Sequence, residues 1–310
     1  MSDEASLRRL GPAVDADAAW LRAAVECFEP RLRELDARGA PGEGAWGPGG
    51  RPNRGCGWTC SCCPRTLAAG EILDLDAIAG GRRPRWPRRG GTTLGGSLAA
   101  AAAAGRAVVL GARRDPYQGP PERRERTREI LEASRDVPDL QLVLLTRSPL
   151  VLCDGDLLLA LDAAGSTTVE LALDAPDAAT ARELEPGGPA PREILGAAAE
   201  LAAEGLAVRL RLAPLLPGLT DGAAALLPLV AAAAAAGVHD LAASPLRLDR
   251  ATRRRFLPWL AARRPGLVAL YRDLYGRRAS LRPADRTACL ADFHRLRLEH
   301  GFPRTPPGRG

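Results

Sequence analysis

Between Val108 and Ala243 the sequence alternates short apolar runs with amphipathic stretches of about 10 to 15 residues, and this rhythm leaves few folds open. The apolar runs predict strands at Val108–Gly111, Leu142–Thr146, Thr168–Ala172, Leu206–Ala213 and His239–Ala243. The stretches between them predict helices at Pro121–Ser134, Asp154–Ala164, Ala190–Glu204 and Ala223–Ala236. Strands regularly separated by helices imply right-handed crossovers around a parallel sheet. A further strand is expected ahead of the cysteine-rich segment, which makes six repeats, short of a full eight-fold barrel. The expected fold class is therefore α/β, a partial (β/α)6 TIM-like barrel. Chemistry in such folds gathers at the C-terminal ends of the strands.

Three segments follow from this. Residues 1–50 hold a helical pattern (Trp20, Leu21, Val25, Phe28, Leu32) and a Gly/Pro linker. Residues 51–248 form the barrel, and 249–310 a helical extension over Thr252–Ala262, Val268–Gly276 and Arg286–His300. A helix is also expected at Thr66–Ala79, with Leu67, Ile72, Leu73 and Leu75 inward. Cys27 and Cys289 read as packed thiols, and His294 and His300 as surface or packing residues. The basic stretch Gly80–Gly91 carries Trp86 among its arginines; a solvated loop is the plainer reading, a phosphate-tracking segment the sharper one.

Four of the seven cysteines fall within Asn53-Arg-Gly-Cys56-Gly-Trp-Thr-Cys60-Ser-Cys62-Cys63-Pro-Arg65. Cys56, Cys60 and Cys63 have C-x3-C-x2-C spacing. Complete ligation of a [4Fe–4S] cubane takes four thiolates, so three leave one iron open to a small molecule. A zinc knuckle using Cys62, or a loop of incidental cysteines, are the alternatives. Zinc ligands usually come as two C-x2-4-C pairs, and no second pair follows here.

Composition excludes more than it identifies. Clustered cysteines in a chain of 310 residues do not form a secreted disulfide framework. Met-Ser-Asp-Glu opens the chain without an apolar leader, and the longest apolar run, Ala223–Gly237, contains Pro228 and is too short to span a bilayer. No membrane association and a cytoplasmic location are expected. All 43 basic residues are arginine and Asn53 is the one asparagine, as a GC-rich coding sequence would give, so the net charge of +6 identifies no partner by itself.

Read in order, the motifs resemble the radical S-adenosylmethionine (SAM) superfamily, in its branch related to spore photoproduct lyase. The residues that carry the resemblance after the cysteine loop are Asp115-Pro116-Tyr117-Gln118 with Glu122, Thr146-Arg147-Ser148-Pro149-Leu150 with Asp154, and Glu185-Pro186. They continue in Pro214-Leu-Leu-Pro217-Gly218-Leu-Thr-Asp221, Leu246-Arg247-Leu248, and Phe256-Leu-Pro-Trp259-Leu260 with Pro265. The match spans about residues 50–276.

The resemblance implies a radical SAM enzyme carrying one [4Fe–4S] cluster and SAM. Cys56, Cys60 and Cys63 would ligate the cluster, and SAM would chelate the open iron. Reductive cleavage would then give a 5′-deoxyadenosyl radical that abstracts hydrogen from a substrate. Gly111, Thr146 and Arg147 are the implied SAM neighbours, with Arg147 standing where the family has lysine. Cys153 is the candidate hydrogen donor, against a packed thiol as the plainer reading. The substrate is unknown; the related lyase suggests a nucleic-acid lesion and DNA as partner, and an electron donor such as a flavodoxin or ferredoxin is implied. The chain departs from the family at Trp58, Cys62 and Pro64, and at Ala172 and Asp174, where strand four commonly ends in serine and threonine. These departures keep open an alternative, a degenerate non-catalytic barrel that binds a structural metal and a polyanionic partner. A nucleic-acid-binding module, with affinity that falls steeply with salt, is the third reading.

Overall fold

A computed structural model describes residues 71–73, 94–111, 115–117, 121–185 and 188–302. The N-terminal helix and linker, the loop with Cys56, Cys60, Cys62 and Cys63, the basic stretch 80–91, Gln118 and Pro186 lie outside the described residues.

Six parallel strands follow one another in the sheet in sequence order. They are β1 (Glu71–Leu73), β2 (Val108–Leu110), β3 (Gln141–Thr146), β4 (Ser166–Leu173), β5 (Ala207–Leu215) and β6 (Asp240–Pro245). Each parallel step needs a crossover, which helices supply: α1 (Leu94–Ala103), α2 (Pro121–Arg135), α3 (Gly155–Ala164), α4 (Ala178–Leu184), α5 (Pro191–Ala203) and α6 (Ala223–Ala235). Three more follow the sheet: α7 (Arg250–Arg263), α8 (Val268–Tyr275) and α9 (Pro283–Glu299). Sequential parallel order with right-handed crossovers winds as a (β/α) barrel, here open between β1 and β6.

The alternation of side chains along each strand separates two faces. Leu142 and Leu144, Val169, Leu171 and Leu173, Val208, Leu210 and Leu212, and Leu241 pack into the main core with the crossover helices. α9 closes that core at the β6 side through Cys289, Leu290, Phe293 and Leu296. Glu170, Arg209, Arg211 and Asp240 have the opposite parity and occupy the inner face. A second core forms where α7 and α8 meet, around Phe256, Leu260, Tyr271 and Tyr275. The Phe256 ring lies 5.4 Å from that of Trp259 and 5.2 Å from that of Tyr271. The Trp259 indole Nε1 donates to the Glu183 carbonyl at 3.1 Å.

One expectation needs correction. Within Thr66–Ala79, expected as a helix, Glu71–Leu73 instead form β1, which pairs in parallel with Val108–Leu110. A short apolar run has no decisive period, so pairing with the open edge of β2 decides its conformation. The first strand of the described sheet thus follows the cysteine loop in sequence, and the strand expected ahead of the loop lies outside the described residues. In addition, α1 and α4 were not anticipated. The Asp177 side chain fixes the start of α4 by accepting from Ala179 N at 2.9 Å and Thr180 N at 2.8 Å.

Candidate active site

Gly111 directly follows β2, and its φ of 96° is a conformation that favours glycine. A Cβ there would overlap the Leu145 carbonyl oxygen, so Gly111 lets the exit of β2 lie directly against β3. Beyond it, the Asp115 carboxylate works as a hub. It accepts from Thr146 Oγ1 at 2.7 Å, from Arg147 N at 2.6 Å and from Tyr117 N at 2.9 Å. Burial pushes its pKa above the ordinary carboxylate value, and these three donors pull against that shift. Thr146 Oγ1 also accepts from Ser148 N at 2.9 Å, which sets up the 3-10 turn Pro149–Asp154.

The Tyr117 hydroxyl donates to Asp154 Oδ2 at 3.0 Å, while Arg128 of α2 pairs with Asp154 Oδ1 at 2.7 Å. Burial, with Asp154 beside it, raises the Tyr117 pKa well above its usual value and keeps the phenol protonated. Asp-Pro-Tyr and Thr-Arg-Ser-Pro, two motifs far apart in sequence, are therefore halves of one interlock at the C-terminal ends of β2 and β3.

Arg147 projects from the end of β3. Its Nη2 donates to both Asp174 Oδ2, just past β4, and Glu185 Oε2, at the end of α4. Those carboxylates are only 4% and 2% exposed. Arginine at 147 and aspartate at 174 are two departures that sequence alone shows separately; the fold makes them an ion pair. A void of about 10 Å³ lies beside them, bordered by Ala181 and Gly188, about the space of one water. One guanidinium among two carboxylates leaves a mixed-charge set with excess negative charge.

Cys153 is exposed and sits elsewhere on the rim, in an open cleft of about 250 Å³ lined by Tyr117, Arg124, Glu125, Arg128 and Asp154. That cleft and the void beside Arg147 share no lining residue. Among the described residues no group of three His, Cys, Asp or Glu side chains could hold a metal ion. None of the described helices is long and apolar enough to cross a membrane. His294 is exposed and packs edge-on to Phe293, and His300 Nδ1 lies 2.9 Å from the Leu296 carbonyl.

On the inner face, Arg211 of β5 grips Glu170 of β4 through Nε and, at 3.0 Å, through Nη2. Arg209 reaches Asp240 at 2.9 Å and Glu170 at 3.4 Å, and Arg297 of α9 reaches Asp240 at 2.6 Å. Sequence reading missed this ladder entirely. Its signal was there: Glu170, Arg209 and Arg211 stand in otherwise apolar strands, all with the parity opposite to the valines and leucines that pack on the helices.

The motif after β5 closes on itself. Leu216 N donates to Thr220 Oγ1 and Gly218 N to Asp221 Oδ1, each at 2.8 Å. Asp221 also meets the buried Cys289 thiol, whose pKa is pushed up to about 12, chiefly by burial.

The fold is a partial (β/α)6 barrel, and comparison with known proteins finds the same fold in solved structures. Solved structures of spore photoproduct lyase match this chain with a TM-score of 0.53 at 15% identity, over 80% of this chain and 72% of that one. A mutant of that lyase with bound AdoMet and dinucleoside spore photoproduct matches with a TM-score of 0.54 at 16% identity over the same shares. Curated uncharacterised proteins of Mycobacterium tuberculosis and Mycobacterium bovis are 31% identical over 225 residues. That alignment covers 71% of this chain, which spans about 61% of the length of those relatives. No protein-family model matches the chain.

Proposed function

We propose that this chain is a radical SAM enzyme that cleaves SAM reductively at a [4Fe–4S] cluster held by Cys56, Cys60 and Cys63. What supports the reading is one coincidence: a three-thiolate loop in a chain whose fold matches an enzyme seen with AdoMet bound. Gly111, Thr146 and Arg147 border the SAM site in this reading, because they cluster where β2 and β3 end. Arg147 would hold the SAM carboxylate, while Asp174 and Glu185 orient the guanidinium and face the cationic part of the ligand. Bound and reduced, the cluster and SAM would supply a 5′-deoxyadenosyl radical to take a hydrogen atom from substrate. Cys153 is proposed as the hydrogen donor and a nucleic-acid lesion as the substrate, with DNA as partner and a flavodoxin or ferredoxin as electron source.

The decisive experiment is anaerobic reconstitution with iron and sulfide, reduction, and measurement of 5′-deoxyadenosine released from SAM. Release that vanishes in Cys60→Ala is expected; zinc in place of iron would overturn the reading. One observation favours a second reading, a barrel that no longer cleaves SAM: both Asp174 and Glu185 already hold Arg147. A cluster that forms without 5′-deoxyadenosine release would establish that alternative.

A further inference from the structure

The inner face holds a cationic feature that the proposed SAM contacts do not use. Strand register places Ala172 of β4 beside Arg211 of β5, and Arg211 beside Ala242 of β6. Thr146 pairs with Leu171, so Arg147, one residue on, falls level with Ala172. One row of the inner face thus reads Ala172, Arg211, Ala242, with Arg147 just past the end of β3 and turned toward Asp174, Glu185 and the α4–α5 side. Neighbouring strands are about 4.8 Å apart, which puts the backbones at 147 and 211 roughly 10 Å from each other with only a methyl group between them. Ala172, Ala242 and Ser244 are all half-buried, and the Arg211 side chain is 21% exposed.

Arg211 is not exhausted by its carboxylate. A guanidinium offers five N–H donors in a planar fork, and Glu170 takes those on the Nε–Nη2 edge. Among the described residues the remaining group, Nη1, donates to the Ser244 hydroxyl at a long 3.4 Å. Ser244 lies on β6, beyond Ala242 toward the C-terminal ends of the strands. Charge points the same way. Around Glu170 and Asp240 stand Arg209, Arg211 and Arg297, three guanidiniums to two carboxylates. Arg297 and Asp240 are buried against α9, so the surplus positive charge falls toward the inner face at Arg209 and Arg211.

From this we infer that Arg211 Nη1 and Ser244 Oγ form an anion subsite in the gap above Ala172 and Ala242, which takes the phosphate or carboxylate of the substrate. The inference rests on the proposed SAM reading for its location: Arg147 serves the cofactor on one side of Ala172, and Arg211 the substrate on the other. The substrate is accordingly an anionic molecule whose charged oxygens sit about two strand spacings, roughly 10 Å, from the cofactor carboxylate.

The test uses the full-length reconstituted protein, titrated calorimetrically with inorganic phosphate and, separately, acetate at constant ionic strength. SAM binding is measured on the same preparations. Ser244→Ala keeps the Glu170–Arg211 pair and should weaken anion binding by about tenfold. Ala242→Asp puts a competing carboxylate beside Arg211 and should abolish it, with thermal unfolding showing that both variants remain folded. Preference for phosphate over acetate assigns a phosphorylated substrate, and the reverse a carboxylic acid. No anion binding by the wild type, or equal affinity in all three proteins, overturns the subsite. Phosphate binding that persists while SAM fails to bind would instead sink the cofactor reading and leave the subsite standing.

Discussion

The Thr146 hydroxyl donates to the Asp115 carboxylate at 2.7 Å, and this contact joins the loop leaving β2 to the last residue of β3. Arg147 N and Tyr117 N converge on the same carboxylate, so the rim of the barrel is fastened before any ligand arrives.

Asp115→Ala should therefore cost about 3 kcal/mol, because three buried donors lose their acceptor together. Chemical denaturation would measure it, and a loss below about 1 kcal/mol would show that water replaces the carboxylate. The pH dependence has a definite sign. Burial raises the folded-state pKa of Asp115 above the ordinary 3.8, so the folded state binds the proton more tightly than the unfolded chain. Its contribution to stability increases as pH falls through the folded value toward 3.8, and Asp115→Asn should remove that part of the slope.

Gly111→Ala should damage the protein more than its size suggests. The new Cβ meets the Leu145 carbonyl, part of the β3 backbone that pairs with β4, and φ of 96° is strained for any L side chain. A cost of more than about 2 kcal/mol is expected, measured as a lower unfolding midpoint. An unchanged midpoint would mean that the two strands separate freely.

Replacing Glu170 by glutamine leaves Arg209 and Arg211 facing one another without their shared carboxylate. Both arginines retain some solvent, so the expected cost is about 2 to 3 kcal/mol, at the lower end for a broken buried pair. Exposed pairs such as Arg295–Glu299 should contribute under about 1 kcal/mol, and Glu299→Gln is the comparison.

The two described cysteines should differ sharply toward alkylation. Cys153 is exposed and should react with iodoacetamide at pH 8 in the native protein. Cys289, buried and with its pKa pushed up to about 12, should react only on unfolding. Peptide mapping by mass would separate them. The shift also has a stability consequence: the fold favours the neutral thiol, so stability should fall as pH rises from 9.0 toward 12, and Cys289→Ala should flatten that decline.

Asp174→Asn tests the rim trio. Arg147 would keep Glu185 but gain freedom to turn, and SAM affinity of the reconstituted protein should change by about tenfold while the barrel stays folded. Unchanged affinity together with a lower melting temperature would assign Asp174 to stability alone.

Much of the architecture was legible in the chain. Val108–Leu110, Leu142–Thr146 and Ala207–Leu215 announce themselves because a strand packed on helices is apolar at every core position. Helices α5, α6 and α9 were expected within a few residues, since their ends carry Pro191, Gly237 and Pro283. Residues 71–73 were misread because three apolar-rich residues hold no period. The ladder on the inner face escaped notice because Glu170 pairs with Arg211, 41 residues away, and Asp240 with Arg297, 57 residues away.

The sequence by itself determined the alternation of β2 to β6 with their main crossover helices, the three-cysteine spacing and the identity of the motifs at each strand end. These are local properties, set by side-chain periodicity and turn chemistry within a few residues. Only the tertiary structure decided what the motifs touch. It made Asp115 and Tyr117 the fastening for Thr146 and Asp154, and it joined Arg147 to Asp174 and Glu185. Those pairings depend on strand register, in which a shift of one residue turns every side chain to the other face. Register is set by the packed core as a whole, and no single stretch of sequence contains it.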